Sequence, residues 1–442
     1  MIVEIKQFFQ KEETKNTLTL YGNHLLLICM FFAPIYKKPI TVALAVLFIM
    51  FLLRGDYKFY LKEAISNKIV QAGIIIFLVH AVWMIGSDNI KFGKYMLENS
   101  RYFLFPIVIL LFADSSFSKK FLMAFIFGML FSEMLSYMIH FNIIPHAFEI
   151  FGKIVYEAQG VDNPTPFLVH YEYNTLLSLV VGVLLYNLLA NKNGLFVKLA
   201  SMFFITTASI NMVLVGGRIG YVAYIVVILT TLFLIYRKNF FKIALPIALL
   251  AIGIFYFTAY NSGGLFKQRV DNIVSDFEKI QENDIKSSIG YRLAMWKYGV
   301  DVLKDNWLFG VGTGDVMQSI HEVAINKDIK AMQHHPHNVY IEYFVEFGII
   351  GLLALLNLFY QNYKIKVEDR SLKIYLYIVN LSFMIYITTN EFPRNMILIF
   401  MLLVLGLSSK NKYLKNENLR YTKNIKIFYI VSVVLFIIIG IM

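Results

Sequence analysis

The sequence predicts an all-α, polytopic membrane protein, and three observations carry that prediction. Of its 442 residues 58% are hydrophobic and only 16% charged, and the mean hydropathy of +0.61 exceeds that of an ordinary soluble domain. The apolar residues gather into runs long enough to cross a bilayer. Between the runs lie short segments rich in Lys and Arg, the pattern of topology signals and of contact with anionic lipid headgroups.

That patterning also excludes other classes. A net charge of +12 could suit nucleic acid, but the basic residues sit in clusters between apolar runs, so no nucleic-acid partner is expected and membrane lipids are. The single cysteine, Cys29, lies within an apolar run and rules out an internal disulfide or a multi-cysteine metal site. The start, MIVEIKQFFQKEETK, is polar and mixed in charge rather than basic with an apolar centre. The first apolar run is therefore expected to stay in the membrane.

Taken in order, the runs are Thr17 to Ile35, Pro39 to Leu53, Ile69 to Ile85, Tyr102 to Ala113, Phe121 to Ile143, Phe167 to Leu189, Leu199 to Val215, Ile219 to Tyr236 and Phe240 to Phe257. Asn338 to Tyr360, Leu372 to Thr388, Met396 to Leu407 and Ile425 to Met442 follow. The expectation is about 12 to 13 transmembrane helices, some of the runs being short enough to be broken or merged.

If the spans alternate, the basic stretches Arg54 to Lys68, Lys119 and Lys120, Lys192 to Lys198, Arg237 to Lys242, Lys364 to Lys373 and Lys410 to Lys426 share one side. That side is expected to be cytoplasmic. Lys37 and Lys38 are the one dissent. The opposite, periplasmic side then carries residues 142–166 and a stretch of about 80 residues, 258–337, between the ninth and tenth spans. Such a length calls for helices of its own. Val270, Ile273, Val274, Phe277 and Ile280 recur at helical spacing, and Tyr291 to Val302 forms a second amphipathic stretch with Trp296 and Tyr298 as interface anchors. The chain divides into N-terminal transmembrane helices (1–257), a large helical periplasmic segment (258–337) and C-terminal transmembrane helices (338–442). No internal repeat and no broken helix is evident in the sequence, which speaks against a transporter of lipid-linked sugar, the competing class.

Chemistry concentrates at the membrane edge. In QHHPHNVYIEYFVEFGIIG, Pro336 suits the first turn of a helix and Asn338 its cap. The apolar run that follows, about 23 residues, gives about 34 Å and crosses a bilayer. His337 then stands at the lip of that helix, where neutral imidazole can accept a proton. Read alone, such a histidine is more often a capping or packing residue. His334, His335 and His337 could be taken as a metal set, but there is no HExxH motif and adjacent histidines seldom aim at one ion, so neither metal nor cofactor is expected.

Arg218, in VLVGGRIGYVAY, opens a span on the same side as His337. It either meets lipid phosphate or, flanked by Gly216, Gly217 and Gly220, admits an anion. Arg292 lies at the start of the second amphipathic stretch, where a guanidinium can grip diphosphate oxygens in two parallel bonds or pair with an acid such as Asp284. Gly310 to Asp315, GVGTGD, follows an amphipathic helix rather than a strand and reads as a tight turn. It lets the external segment fold back on the helix that starts at His337.

These residues resemble the bacterial O-antigen ligase and O-antigen polymerase superfamily. The resemblance rests on His337 followed after ten residues by Gly348, on HPHNVYIEYFVEFGIIG, on WLFGVGTGD and on Arg218 at a span's outer end. It covers about Val215 to Leu355, and where the ligase pattern has leucine four residues after the second arginine this chain has Trp296. The resemblance implies about 12 membrane helices with a large external segment after the ninth, in a multi-pass protein of the bacterial inner membrane. It implies a metal-independent glycosyltransferase whose active site faces the periplasm. The donor would be a glycan on undecaprenyl diphosphate, and the acceptor a lipid A-core sugar for a ligase or another lipid-linked repeat for a polymerase. By position, Arg218 and Arg292 correspond to diphosphate-binding arginines and His337 to the base or acceptor-positioning residue. Tyr340, Tyr291 and Trp296 are candidate sugar-stacking surfaces.

Overall fold

The computed structural model describes residues 11–55, 57–150, 152–160, 163–281, 287–324, 335–410, 412, 414 and 423–441. Helices α1 (Glu12–Phe32) and α2 (Lys37–Arg54) come first, then α3 (Tyr57–Ser66) and α4 (Lys68–Val82), which bend by 79° about Asn67. Asn67 causes the bend to hold, because its side chain caps α4 by accepting the N–H groups of Ile69 and Val70. Next are α5 (Ile90–Ser100), the four-residue α6 (Ile107–Leu110) and α7 (Ser118–His140). A two-stranded hairpin, β1 (Ala147–Ile150) with β2 (Lys153–Glu157), is the departure from an all-α fold among the described residues.

Helices α8 (His170–Ala190), α9 (Leu195–Val215), α10 (Arg218–Tyr236) and α11 (Leu245–Asn261) lead to the expected external segment, made of α12 (Gly264–Gln281), α13 (Ser288–Asn306) and α14 (Val316–Ala324). The chain closes with α15 (Val339–Lys364), α16 (Arg370–Tyr386), α17 (Arg394–Ser408) and α18 (Lys423–Ile441). Both amphipathic stretches are thus helices, although the side chains of Phe277 and Ile280 lie outside the described set.

This is an all-α polytopic membrane protein. Among the described residues five stretches are long and apolar enough to cross a membrane, or six if the bent pair counts as one. The rest of the expected 12 to 13 are helices that are shorter or more charged, or, over 101–113, broken. One of the five, Arg218–Asn261, runs to 44 residues, which as a single helix would be about 66 Å, twice a bilayer. It is a hairpin instead. The chain turns at Arg237, whose φ is +39°, and the Phe266 ring touches both Tyr221 near the start of α10 (5.4 Å) and Tyr256 near the end of α11 (5.9 Å).

Three of the basic segments gather at one end. Lys119 pairs with Asp369 at 2.6 Å, and the Asn191 side chain accepts from Ser371 at 3.2 Å. The dissenting Lys37 lies near Glu172 and Arg394 at the other end, as a loop after one span must.

The run Tyr102 to Ala113 is not the continuous helix expected. Pro106 has no N–H and crowds the preceding turn, so the chain passes through a 3-10 turn (Arg101–Phe103) and the short α6. Backbone groups freed inside a membrane must find partners within the protein. Here other elements supply them: Arg54 donates to Leu111 O, Asn23 donates to Phe112 O (2.8 Å) and accepts from Asp114 N–H (2.9 Å), and Ser409 donates to Ala113 O (2.6 Å). Arg54, fully buried, also stacks on Tyr60 at 3.6 Å and Phe112 at 4.4 Å.

A second break positions the site. Helix α15 is interrupted at Gly348, φ +65° and ψ −159°. In an unbroken helix Val345 O would accept from Ile349 N–H. Instead Val345 O accepts from Val311 N–H (2.9 Å), Glu346 O from Gly312 N–H (3.0 Å), and Ile349 N–H donates to Trp307 O (2.9 Å). The Gly310 to Asp315 turn therefore does fold back on this helix, and it does so by completing a broken one. A separate small core of Met295, Tyr298, Val302, Met317, Ile320 and Val345 glues α13 and α14 to the same half of α15. Two broken runs correct the sequence reading that no helix is broken.

A methyl group on Gly348 would sit 2.2 Å from Leu308 O at a positive φ, so Gly348→Ala is expected to cost about 2–4 kcal/mol. Gly253→Ala, where nothing lies within 4 Å, should be neutral or stabilise by up to about 1 kcal/mol. Melting of both variants beside the parent in one detergent checks this; equal melting temperatures would mean that α15 tolerates a continuous helix.

Candidate active site

His337 is held from three directions. Asn338 caps α15 as expected, accepting Ile341 N–H at 3.1 Å, and Val339 N–H donates to Ile387 O at 2.9 Å. Pro336 does not enter the first turn; it lies two residues ahead of the cap, and its carbonyl accepts the indole N–H of Trp296 at 2.9 Å. That leaves His337 with φ +54°, a left-handed conformation that costs a non-glycine residue about 1–3 kcal/mol and persists only when its surroundings impose it.

Electrostatics then set the imidazole's charge. The His335 ring stands 4.1 Å from that of His337, and His335 Nδ1 accepts the His337 N–H at 3.3 Å. On its other side, His335 Nε2 lies 3.8 Å from Glu391. Burial, then His335, then the Arg292 charge push His337 down from 6.5 to about 3. It is neutral at any physiological pH. Burial raises the Glu391 carboxyl above its ordinary value. His334 lies outside the described residues, and no group of three or more His, Cys, Asp or Glu among the described residues is arranged to hold a metal ion.

The two expected arginines are brought together. Burial first and the neighbouring Arg218 charge second pull Arg292 below the usual guanidinium range, and Arg292 has no ion-pair partner among the described residues. Asp284, the acid considered for it, lies outside them. Arg218 pairs through one nitrogen, Nη1, with Asp276 of α12 at 2.9 Å, its side chain only 26% exposed. It is not a headgroup-seeking surface arginine. The flanking glycines have a cause other than anion access: a Cβ on Gly220 would meet Asn174 at 2.2 Å, and one on Gly217 the His170 carbonyl at 3.1 Å. They let α10 approach α8.

Sequence reasoning missed four members of this neighbourhood. Asp276 is the carboxylate on Arg218. Arg269 of α12 and Arg292 both reach His170, the first residue of α8, whose Nδ1 is held by Gln159 (3.0 Å) and Asn163 (3.1 Å). Glu391 is the carboxylate beside His335. His170 carries a signal that could have found it: like His337, it stands at the start of a long apolar run. Tyr340 and Trp296 border the centre, but the Tyr340 hydroxyl donates to Met384 O at 3.1 Å and the Trp296 indole is engaged by Pro336.

Beside Arg218, between α8, α9, α10, α11 and α12, opens a cavity of about 880 Å³ lined by Tyr221, Tyr224, Ile225, Tyr256, Phe266 and Val270. It is almost wholly apolar. A cation cluster at its end makes the pair suited to an amphiphile with an anionic head.

Residues 202–356 match the model of a family described as O-antigen ligase. The match supports the O-antigen ligase/polymerase superfamily for that stretch. An uncharacterised protein of Haemophilus influenzae is 26% identical over 211 residues, 45% of this chain and 51% of the relative. The chain thus spans about half the length of the relative it matches. The superfamily region holds Arg218, Arg269, Asp276, Arg292, His337 and Gly348, whereas His170 and Glu391 lie outside it.

A folded pKa below the unfolded 6.5 means that the unfolded chain binds the proton first. The stability contributed by neutral His337 is therefore complete above pH 6.5 and is lost as pH falls toward 3. Histidine NMR on the full chain should find His337 neutral at pH 5, and Arg292→Gln should move its midpoint upward. A parent midpoint near 6.5 would place His337 away from Arg292 and outside this centre.

Proposed function

We propose that this chain is an O-antigen ligase-type glycosyltransferase. It moves a glycan from undecaprenyl diphosphate to a sugar hydroxyl of the lipopolysaccharide core, at the periplasmic face of the inner membrane. The observation that carries the reading is a neutral histidine beside two arginines that the fold forces together. Asp276 offsets the Arg218 charge, but Arg292 has no ion-pair partner among the described residues, and burying a second cation beside the first is unfavourable unless a further anion joins them. A diphosphate is such an anion, and the apolar cavity next to Arg218 suits its polyprenyl tail.

In the reaction the acceptor hydroxyl oxygen attacks the anomeric carbon while its proton passes to His337. The bond from that carbon to the diphosphate oxygen breaks in the same step, which inverts the configuration. Negative charge grows on the leaving diphosphate, and Arg292 with the remaining nitrogens of Arg218 meets it. Donors fixed in a site of low dielectric act most strongly where charge develops. Asp276 holds the Arg218 fork in place by a single nitrogen. The donor carries its own activation in the diphosphate, so the residues have only to orient it, accept a proton and stabilise the departing group.

The test uses the purified full chain in nanodiscs with an undecaprenyl diphosphate glycan as donor. One arm offers lipid A-core lacking O-antigen, and the other a second lipid-linked repeat. Transfer to the core supports a ligase, transfer only to the repeat replaces it with a polymerase, and transport without transfer overturns the reading. His337→Ala should slow single-turnover transfer by roughly 10²- to 10⁴-fold with donor binding retained. Arg218→Ala should weaken donor binding as well, and Arg218→Lys should restore little of it, since a point charge lacks the two-pronged contact. Parent-rate transfer by His337→Ala would reduce that histidine to a structural element of the α15 start.

A further inference from the structure

A second cavity, of about 670 Å³, begins at His335 and runs between α5 and the start of α15, where Phe92, Tyr95, Asn99, Glu342 and Glu391 line it. We propose that it is the acceptor site, taking the terminal sugar of the incoming glycan. This rests on the transferase reading above and says where the second substrate binds.

Three features fit a sugar. The rings of Phe92 and Tyr95, one helical turn apart, stack at 5.6 Å and 27°, and Tyr95 is 46% exposed. Such rings offer the apolar C–H face of a pyranose a flat surface. Glu342, 7% exposed, makes no side-chain hydrogen bond among the described residues. A buried carboxyl without a partner is costly, and sugar hydroxyls facing it from the cavity would supply one. The aromatic wall is also fixed beforehand, because Arg394 donates to Asn99 and lies 5.2 Å over the Tyr95 ring. Ligand sites of this volume combine an apolar body with a few placed polar groups.

Position supports the same assignment. His335 lines the cavity and its ring stands 4.1 Å from that of His337, so a hydroxyl entering from here reaches the proton acceptor from a cavity that contains none of the arginines. The GTGD turn holds the wall in register. Asp315 accepts the N–H groups of Asp88 (3.1 Å) and Asn89 (2.8 Å), Ser87 donates to Thr313 O (2.9 Å), and a Cβ on Gly93 would meet that carbonyl at 2.6 Å. Phe92, Tyr95, Asn99 and Glu391 lie outside residues 202–356, while the arginines and His337 lie inside. The aromatic wall of the acceptor cavity thus comes from outside that stretch, whereas Glu342 and His335 come from within it.

The experiment measures acceptor KM, transfer rate and donor binding for the parent, Tyr95→Ala and Glu342→Gln in nanodiscs. The donor is an undecaprenyl diphosphate glycan, and the acceptors, in separate arms, are lipid A-core and a second lipid-linked repeat. Tyr95→Ala should raise KM for the productive acceptor by about three- to tenfold, with donor affinity at the parent value. Glu342→Gln should raise it as well, and Tyr95→Phe should restore it. If the parent transfers and both variants keep its acceptor KM, the acceptor binds elsewhere. If they lose donor affinity instead, the cavity belongs to the donor. If the parent transfers to neither acceptor, the transferase reading fails and this assignment with it.

Discussion

The interruption of α15 at Gly348 is the constraint on which the rest of the site depends. A helix that stops hydrogen-bonding inside a membrane must be completed by something else, and here the completing strand is Trp307 to Gly312. The same few residues continue into Asp315, which holds the start of α5. One turn of chain thereby ties the external segment, the entrance helix α15 and the α5 wall into one unit. His337, two residues ahead of α15, inherits its position from that unit, with Trp296 bracing the preceding carbonyl.

Charge is arranged on this frame with a definite sense. Arg218 begins α10, Arg292 lies in the first turns of α13 and Arg269 on α12, so three elements converge their cations where the apolar cavity ends. Burial, the neighbouring His335 and the Arg292 charge keep His337 unprotonated. Each cation lowers the proton affinity of a nearby base, a cost that a bound phosphate anion offsets, and each proton on the base would repel the cations. Both effects here favour the same state: neutral imidazole, charged guanidinium, and room for a phosphate anion.

Much of the fold was legible in the sequence because membrane helices announce themselves by length and apolarity. Asn338 as a cap, the helices of the external segment and the fold-back at Gly310 to Asp315 were legible for a related reason: each is a local signal with a local cause. What stayed hidden depends on partners distant in sequence. Nothing near Tyr102 to Ala113 says that Asn23, Arg54 and Ser409 will satisfy a broken helix there. Asp276 lies in an amphipathic stretch whose apolar spacing drew attention to other positions, and only its distance from Arg218 gives it meaning. Gly217 and Gly220 were legible as special but not as to cause, since the close approach of α8 is a tertiary fact. His170 and Glu391 come from segments far outside the family-matched region.

The central claim is that His337, Arg218 and Arg292 form one centre that receives a lipid diphosphate. Its most direct test is an electron cryo-microscopy map of the full chain in nanodiscs with a non-transferable undecaprenyl diphosphate glycan analogue. The account requires diphosphate density between Arg218 and Arg292, the lipid tail in the cavity lined by Tyr224 and Phe266, and the anomeric carbon facing His337. Density for the diphosphate at the opposite, lysine-rich end of the bundle, or with His337 remote from the anomeric carbon, would contradict it.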